Sequence, residues 1–339
     1  MPNKKALILV NTGTPDKPTV PAVRRFLFQF LNDKRVIDIP KLLRLLLVNL
    51  IIVPFRAPKS TQLYRKLWTN DGSPLLIHLN SLISKVQNML RGSHDVYPAM
   101  RYGNPSFKQL LNELSEKQYE EVVIFPLFPQ FATSTTESIA DVVNNSYLAT
   151  PNAPHVRFVR QFYDNPLFLA AFEKRIRAFK PEAYDYVLFS YHGLPLRQVD
   201  KMHPGVKSET CPCIEALPAH GEYCYKATCY HTTRLLADAL ALPSEKYETT
   251  FQSRLSKNWL RPFTDDTILA LANNGVKKVL VVAPAFVADC LETTIEIGWE
   301  YKELFIKHGG TQLTLVPSLN DMDEWAATIA HISTSNRGN

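Results

Sequence analysis

One histidine stands where a side chain could take protons from a substrate. His192 follows an apolar run that predicts a buried strand, in the segment Phe189-Ser-Tyr-His-Gly-Leu-Pro. Imidazole titrates near neutral pH, and for this reason it often serves as a general base at such a position. The alternative interpretation is a structural histidine that caps a turn.

Three carboxylates follow another apolar run, at spacings of three and four residues. They are Asp289, Glu292 and Glu296. On an α-helix these spacings put all three on one face, in an acidic row about 10 Å long at 1.5 Å rise per residue. Because like charges so close destabilise a helix, we expect the row to bind partly hydrated divalent cations or to carry protons. The alternative is a capping box formed by Asp289 and Glu292, which leaves Glu296 unexplained.

Four of the five cysteines lie within nineteen positions. They are Cys211, Cys213, Cys224 and Cys229. In a reducing compartment this clustering predicts metal or cluster ligation rather than disulfides. Four thiolates suit a tetrahedral Zn²⁺ site or a [2Fe–2S] cluster, and the spacing alone does not choose between them. Histidine ligands remain open, because three histidines flank the cluster: His203, His220 and His231.

Two turns that follow predicted strands could bind an anionic or planar ligand, although both also fit ordinary surface turns. One is Arg101-Tyr102-Gly103-Asn104-Pro105, and the other is Gln252-Ser253-Arg254, with Trp259 beyond it. An apolar segment with basic ends, residues 40–58, is named here the apolar lip. Its composition suits contact with a membrane interface, but composition alone favours an ordinary buried helix. The basic residues at its ends are Lys41, Arg44, Arg56 and Lys59.

The elements that must position these residues alternate between strands and helices. Aliphatic runs without polar alternation predict strands buried on both faces of a parallel sheet. The clearest are 6–10, 122–125, 187–189 and 279–282, and the weaker ones are 96–100, 156–159, 249–252 and 313–316. Amphipathic helices are predicted at 75–90, 107–116, 166–179, 232–241 and 265–274. This alternation predicts a doubly wound α/β architecture.

The two halves of the chain resemble each other. Residues 122–139 align without gaps with 280–297, and 11–15 align with 191–195. The alternative is chance similarity between hydrophobic strands, but two separate matches favour two related Rossmann-like domains, residues 1–162 and 163–317. In open α/β sheets ligands bind beyond the carboxyl ends of the strands. There, Thr12 and Ser134 of the first half correspond to His192 and Glu292 of the second.

Composition and charge exclude several classes of protein. Of the 339 residues, 45% are hydrophobic and 21% charged, which excludes wholesale disorder. The net charge of +6 is spread along the chain without a run of five like charges, so it suits an anionic small molecule or membrane surface better than nucleic acid. Neither G-x-G-x-x-G nor G-x-x-x-x-G-K-[ST] is present, and a nucleotide is not expected. No secretory signal or bilayer-spanning run is visible, so we expect a cytoplasmic protein.

In combination these features resemble the ferrochelatases, enzymes that insert ferrous iron into a porphyrin. The resemblance runs from about residue 5 to residue 332. It rests on Leu9-Val-Asn-Thr-Gly-Thr-Pro, Tyr64 with Gly72-Ser-Pro, Met100-Arg-Tyr-Gly-Asn-Pro, Phe125-Pro-Leu-Phe-Pro-Gln-Phe with Ser134-Thr-Thr, Ser190-Tyr-His-Gly-Leu-Pro, Phe251-Gln-Ser-Arg and Ala288-Asp-Cys-Leu-Glu-Thr. It implies two Rossmann-like domains with parallel sheets and an active-site cleft between them. The first domain would be completed by the C-terminal segment 318–333.

The resemblance also implies an activity and roles for residues. His192 and Glu292 would be the catalytic residues, with Asp289 and Glu296 on a path for metal or protons. The implied porphyrin-binding residues are Asn11, Thr12, Arg56, Tyr64, Arg101, Tyr102 and Ser253. The activity would be insertion of Fe²⁺, as substrate, into protoporphyrin IX to give protohaem, the last step of haem biosynthesis. The alternatives are a chelatase for coproporphyrin or sirohydrochlorin, and a non-catalytic haem or metal carrier of the same fold.

The chain departs from the family pattern in three places. Cys290 stands where some members have histidine, and Leu255-Ser-Lys-Asn replaces a stretch that usually contains Gly and Pro. Many members with an iron–sulfur cluster hold it through a C-terminal extension, whereas here the cysteines lie on an internal insert, residues 203–230. A smaller bacterial group resembles the chain in this respect, so we favour a [2Fe–2S] cluster over Zn²⁺. We expect a cytoplasmic enzyme that can bind peripherally to the inner face of the cytoplasmic membrane.

Overall fold

The computed structural model describes residues 4–147 and 153–335, and it divides the chain into two compact units. The first unit lies within Met1–Gln161 and Asp321–Asn339, and the second is Phe162–Asn320. Each unit contains one four-stranded sheet in which all pairings are parallel. The predicted α/β class with two parallel sheets is confirmed.

The two sheets have the same strand order. The first contains β1 (Lys5–Thr14), β2 (His94–Gly103), β3 (Glu121–Pro126) and β4 (His155–Phe158), in the order β2-β1-β3-β4. The second contains β5 (Tyr186–His192), β6 (Tyr247–Gln252), β7 (Lys278–Val282) and β8 (Gln312–Leu315), in the order β6-β5-β7-β8. All eight strands lie where they were predicted, and the shared order supports the predicted duplication.

The α-helices lie in the connections between the strands, except α12, which follows the last strand. In chain order they are α1 (Val20–Leu31), α2 (Lys41–Leu46), α3 (Val53–Leu67), α4 (Pro74–Met89), α5 (Phe107–Ser115), α6 (Ser138–Val142), α7 (Pro166–Arg177), α8 (Leu196–Asp200), α9 (Tyr225–Leu240), α10 (Thr264–Asn273), α11 (Lys302–Lys307) and α12 (Asp323–Thr334). π-Helices, which bond residue i to residue i+5, occupy Leu47–Ile52, Thr133–Glu137, Val143–Tyr147 and Leu291–Tyr301. Short 3₁₀ helices occupy Pro181–Ala183, Pro212–Ile214, Ala219–Gly221 and Ser244–Lys246.

The central strands of each sheet are the most apolar on both faces, as expected where helices cover both sides of a sheet. After Glu121 every residue of β3 is buried, and in β7 residues 279–282 are buried as well. A strand covered in this way needs apolar side chains at every position, which explains the absence of alternation in the sequence. Polar side chains are therefore concentrated at the carboxyl ends of the strands, where ligands bind in open α/β sheets.

Two predicted elements differ in detail. α9 begins at Tyr225 rather than near residue 232, so the end of the predicted insert is part of a helix with buried residues. The C-terminal helix α12 packs against α4 in the first unit, where Lys85 Nζ lies 2.8 Å from an Asp323 carboxylate oxygen. The ring centroid of Trp325 lies 6.2 Å from that of Phe125 in β3.

The apolar lip folds as α2, the π-helix Leu47–Ile52 and the start of α3. The exposed fraction is 70% at Leu42, 66% at Leu50 and 73% at Phe55, so the alternative of an ordinary buried helix is wrong. Arg44 is buried instead, because its guanidinium donates to the carbonyl oxygens of Ile37 and Ile39. No helix in the described part of the chain is long and apolar enough to span a membrane.

Candidate active site

His192 is the last residue of β5, at the carboxyl edge of the second sheet. Its Nδ1 lies 2.6 Å from the carbonyl oxygen of Gly193, which only accepts, so Nδ1 carries the proton of this hydrogen bond. In the neutral ring this leaves Nε2 as the nitrogen that can accept a proton. The ring centroids of Trp259 and Phe286 each lie 6.4 Å from that of His192. This geometry fits a general base in partly apolar surroundings.

Glycine is required directly after the histidine, because the end of β6 approaches closely. A Cβ at Gly193 would lie 2.8 Å from the carbonyl oxygen of Gln252 and 3.3 Å from the ring of Trp259. Instead, Gly193 N donates to that carbonyl oxygen at 2.8 Å. The turn that carries His192 is therefore held against the end of β6.

Gln252, the last residue of β6, joins this strand pair to the π-helix Leu291–Tyr301. The sheet register pairs Gln252 with His192. Its Oε1 accepts from Ser190 Oγ at 2.7 Å, and its Nε2 donates to the carbonyl oxygen of Glu292 at 2.9 Å. The same Nε2 lies 3.4 Å from a carboxylate oxygen of Glu296. Gln252 is 1% exposed, so these bonds form away from water.

The carboxylate of Glu296 accepts hydrogen bonds from four donors. They are Ser253 N at 2.8 Å, the Ser253 hydroxyl, Tyr301 Oη at 2.7 Å and Gln252 Nε2. Ser253 has φ 61°, in the left-handed region that a non-glycine residue rarely adopts, and this conformation aims both its donors at Glu296. Burial, and then the Glu296 carboxylate, raises the pKa of Tyr301, which therefore remains a donor.

Glu292 lies in the first turn of the π-helix and is partly exposed. The helix begins with a capping box formed by Cys290 and Thr293, in which Cys290 N donates to Thr293 Oγ1 at 2.9 Å. The predicted alternative, a capping box of Asp289 and Glu292, is therefore wrong. Burial, and then the neighbouring Glu292 carboxylate, raises the pKa of the Cys290 thiol. The capping box does not use the Glu292 side chain, whose carboxylate instead interacts with the Cys290 thiol and stays partly exposed.

Asp289 does not share a helical face with the other two acids. The helix starts at Leu291, and Asp289 precedes it. Its two carboxylate oxygens accept from Ser318 N at 3.0 Å and from Asn320 Nδ2 at 2.7 Å. The predicted row of three carboxylates on one α-helix is therefore wrong, because the chain turns at Cys290 before the helix begins.

In the first unit, Arg101 and Tyr102 belong to a hydrogen-bonded network around Asp33. Asp33 Oδ2 accepts from Arg101 Nη2 at 2.5 Å, from Tyr102 Oη at 2.8 Å and from Ser138 Oγ at 2.7 Å. Burial, and then Asp33, raises the pKa of Tyr102, whose exposed fraction is only 3%. Arg101 keeps 21% of its side chain exposed, so any contact with a ligand would use that part.

The other predicted porphyrin-binding residues of this unit differ in exposure. Asn11 is buried in β1, where its Oδ1 accepts from the backbone N of Thr12 at 2.7 Å, and Thr12 is partly exposed. Tyr64 is 9% exposed and packs edge-on against aromatic neighbours, whereas Arg56 is exposed on α3. Their role in porphyrin binding stays a prediction, as does that of Ser253.

The four cysteines of the insert are all buried. Cys211 is 5% exposed and the other three 0%. Cys211 precedes the short helix Pro212–Ile214 that contains Cys213, while Cys224 is the N-cap residue of α9 and Cys229 lies on that helix. His220 Nε2 lies 3.3 Å from Cys211 Sγ. The thiols therefore share one buried region of the second unit.

Burial favours the protonated form of Cys213, Cys224 and Cys229, and nearby groups oppose this effect only in part. The backbone N–H groups of Ala227 and Lys226 donate to Cys224, although burial has the larger effect and raises the pKa of this thiol. Burial raises the pKa of Cys213 to about 12, and the Lys226 ammonium opposes that effect. Among residues 4–147 and 153–335, no three His, Cys, Asp or Glu side chains are placed to hold one ion. The donor set fits a thiolate-bound group, but a preformed site for a single ion is not present in that part of the chain.

Several residues of these networks had no clear signal in the sequence. Gln252 stood out only as part of a turn, and Asp33 and Ser138 have no local pattern because their partners lie far away in the chain. Tyr301 follows Glu296 by five residues. That spacing matches the i to i+5 repeat of a π-helix and not the i to i+4 repeat of an α-helix. Glu300 repeats the four-residue spacing of Glu292 and Glu296 and is exposed.

Comparisons with solved structures identify chains of similar fold. The solved structure of SirB from Bacillus subtilis with Fe³⁺ matches with a TM-score of 0.55 at 9% identity, over 99% of both chains. The sirohydrochlorin chelatase SirB from Bacillus subtilis subspecies spizizenii, in complex with cobalt, matches with a TM-score of 0.52 at 9% identity, over 98% of this chain and 97% of that one. These likenesses show the fold alone, and they confirm the predicted chelatase-like fold.

Sequence comparison is more specific. The family model for ferrochelatase matches residues 4–337. Ferrochelatase from Legionella pneumophila (strain Lens) is 41% identical over 332 residues, covering 97% of this chain and 98% of the relative. Ferrochelatase from Coxiella burnetii (strain Dugway 5J108-111) is 40% identical over 339 residues, covering 98% of this chain and 93% of the relative. The chain therefore belongs to the ferrochelatase family.

Proposed function

We propose that this chain inserts Fe²⁺ into protoporphyrin IX to form protohaem, as the last step of haem biosynthesis. The observation that carries the proposal is the edge of the second sheet, where His192 is joined through Gln252 to a helix bearing Glu292 and Glu296. The reaction needs a base, because a free porphyrin carries two pyrrole N–H protons that must leave before iron binds. It also needs groups that replace the water around Fe²⁺, and carboxylate oxygens suit that role.

The proposal gives each of these side chains a role. His192 accepts a pyrrole proton at Nε2, and Glu292 either removes water from Fe²⁺ or carries protons away. Glu296 already accepts from four donors, which favours proton transfer or positioning over ligation of the metal. Each oxygen of Asp289 accepts one hydrogen bond from the 318–320 loop, which fixes this carboxylate and leaves acceptor capacity for its proposed place on the path for metal or protons.

Binding energy must also bend the substrate. The macrocycle is flat, and bending it out of plane exposes the nitrogen lone pairs to the metal. Macrocycle packing and contacts to the propionates would supply this strain from remote binding energy. The residues proposed for these contacts are Asn11, Thr12, Arg56, Tyr64, Arg101, Tyr102 and Ser253.

An anaerobic metal-insertion assay tests the proposal directly. In three parallel reactions, the purified chain is mixed with Fe²⁺ and one tetrapyrrole: protoporphyrin IX, coproporphyrin or sirohydrochlorin. We expect metallation of protoporphyrin IX to be fastest. Faster metallation of either other tetrapyrrole would reassign the substrate. Tight binding of haem without any metal insertion would instead support the carrier alternative.

We also propose that Cys211, Cys213, Cys224 and Cys229 hold a [2Fe–2S] cluster, with Zn²⁺ as the alternative. Such a cluster is bound through four cysteine thiolates, two on each iron, so its ligands form two pairs rather than a set around one ion. Support comes from the burial of all four thiols and from Lys226, a 6% exposed lysine close enough to act on the pKa of Cys213 and Cys224. When bound, the cluster would have a structural or sensing role rather than a role in metal insertion.

Metal analysis of the purified protein separates the two metals. Two iron atoms and two sulfides per chain, with a reddish-brown colour, would support the cluster, whereas one zinc in a colourless protein would refute it. Lys226→Met should lower metal retention, while Lys257→Met, an exposed lysine of the same unit, should not. Because burial raises the pKa of Cys213 to about 12, loading must release protons, and it should improve as the pH rises.

We further propose that the apolar lip contacts the inner face of the cytoplasmic membrane. Leu42, Leu50 and Phe55 are exposed beside the exposed cations Lys41 and Arg56, and the chain carries a net charge of +6. Apolar side chains with basic neighbours favour an anionic lipid interface. Insoluble tetrapyrroles could then pass between membrane and enzyme without crossing water.

Flotation with anionic liposomes tests the lip. Leu46→Glu and Ile51→Glu place charges at positions that are 49% and 55% exposed, and both should reduce the floated fraction. Leu255→Glu is a matched control, since Leu255 is 70% exposed but lies in the second unit. Equal flotation of the wild type and both lip variants would argue against membrane contact.

A further inference from the structure

We propose that Gln252 is the positioning residue that sets His192 relative to Glu292 and Glu296. The inference rests on the proposed metal-insertion activity. Gln252 is 1% exposed, so it does not touch the substrate and acts only through its neighbours. It is the residue through which the strand ending in the base and the helix carrying the acids are hydrogen-bonded.

The orientation of the Gln252 amide follows from its partners. Nε2 faces two groups that only accept, the carbonyl oxygen of Glu292 at 2.9 Å and a carboxylate oxygen of Glu296 at 3.4 Å. Oε1 faces Ser190 Oγ at 2.7 Å, two residues before His192. The backbone oxygen of Gln252 accepts from Gly193 N at 2.8 Å, one residue after His192. One residue thus holds the histidine segment from both sides and reaches the acidic helix.

Only an amide of this length can form the whole bridge. A glutamate would keep the acceptor for Ser190 but would place a second carboxylate against Glu296 and remove the donor to Glu292. A methionine would remove the acceptor of the Ser190 hydroxyl and would leave the Glu292 carbonyl without this donor in a buried site, which is unfavourable. Ser190 Oγ is itself 2.9 Å from Thr264 Oγ1, so a second buried hydroxyl supports the strand end of the bridge.

The test compares steady-state kinetics of Gln252→Met and Thr250→Val with the wild type, using Fe²⁺ and Zn²⁺ as separate metal substrates. Thr250 is a matched control, because it is buried in the same strand and its hydroxyl bond does not reach the acidic helix. We expect Gln252→Met to lower kcat about 10- to 100-fold, since a misplacement near 1 Å can cost about 10²-fold. KM for the porphyrin should stay within about twofold, because the porphyrin contacts are unchanged.

The ratio of kcat for Fe²⁺ to kcat for Zn²⁺ is the decisive readout. Loss of folded protein lowers both rates equally, whereas displaced carboxylates change the ratio. We expect a shifted ratio in Gln252→Met and an unchanged ratio in Thr250→Val. An unchanged ratio and kcat in Gln252→Met, at a wild-type melting temperature, would overturn the inference.

A second variant covers the case in which Gln252→Met does not fold. Ser190→Ala removes only the strand end of the bridge, and we expect kcat to fall about 3- to 10-fold with the same direction of change in the metal ratio. Wild-type kinetics in Ser190→Ala would then overturn the inference. If the wild type itself does not insert metal, the proposed function fails instead, so the two failures are distinguishable.

Discussion

The carboxyl edges of the two sheets carry different chemistry at equivalent positions. Thr12 of the first sheet corresponds to His192 of the second, and register places Arg101 beside Thr12 as it places Gln252 beside His192. In both units a side chain near the end of the adjacent edge strand, β2 or β6, hydrogen-bonds to the helical segment that follows β3 or β7. Arg101 bonds to Ser138 at 2.8 Å, and Gln252 bonds to the backbone of Glu292 at 2.9 Å.

The units differ in whether the strand or the helix of this hydrogen-bonded connection carries the charged side chains. In the first, the charge is on the strand, at Arg101, and Asp33 neutralises it. In the second, the strand contributes a neutral amide and the helix contributes Glu292 and Glu296. Both helical segments start as π-helices, Thr133–Glu137 and Leu291–Tyr301. The two units therefore share this connection, and of these two strand ends, that of the second unit has a histidine beside a helix that carries Glu292 and Glu296.

The largest effect should come from removing the base. His192→Ala should lower metal insertion about 10²- to 10⁴-fold, the usual contribution of a general base, while the fold survives. Thr12→Ala, at the equivalent position, should change the rate severalfold at most and mainly raise KM for the porphyrin. Insertion rates and circular dichroism check both variants. Equal losses of activity in the two variants would contradict the proposed difference between the two units.

The next effect should come from the acidic helix. Glu292→Gln should reduce kcat about 10- to 100-fold, and more than Glu296→Gln, because Glu292 is partly exposed and not used in capping. Ser134→Ala, at the position equivalent to Glu292, should leave kcat within about twofold. Steady-state assays compare the three variants. A larger loss in Glu296→Gln than in Glu292→Gln would move the catalytic role one turn along the helix.

A smaller effect concerns stability and the first unit. Asp33→Asn removes the charge that neutralises Arg101, at a site where Asp33 is 7% and Arg101 21% exposed. The free energy of unfolding should fall by about 2 kcal/mol, because an uncompensated charge is left partly buried. Asp71→Asn, at an exposed acid of the same unit, should stay within about 0.5 kcal/mol of the wild type. Urea unfolding measures both, and equal stabilities would show that the network does not neutralise Arg101.

Much of the fold was readable from local patterns. Buried parallel strands need apolar side chains on both faces, so four of the eight strands stood out as apolar runs. Segments such as 156–159 and 249–252 contain polar residues and gave weaker signals. Helix type was not readable, because α- and π-helices differ in hydrogen-bond register and not in composition. The helix start was not readable either, which is why a single helical face for Asp289 and Glu292 is wrong: the helix begins only at Leu291.

The sequence by itself determined the fold class, the family and the position of His192 at a strand end, since these depend on local periodicity and on motifs that are contiguous in the chain. The tertiary structure decided which polar groups are already occupied. Asp33 meets Arg101 across 68 positions and Gln252 meets Glu292 across 40, and no local pattern encodes such pairs. Hydrogen bonds between distant segments form only when the sheets bring strand ends and helix starts together, and those bonds determine which acids remain available for chemistry.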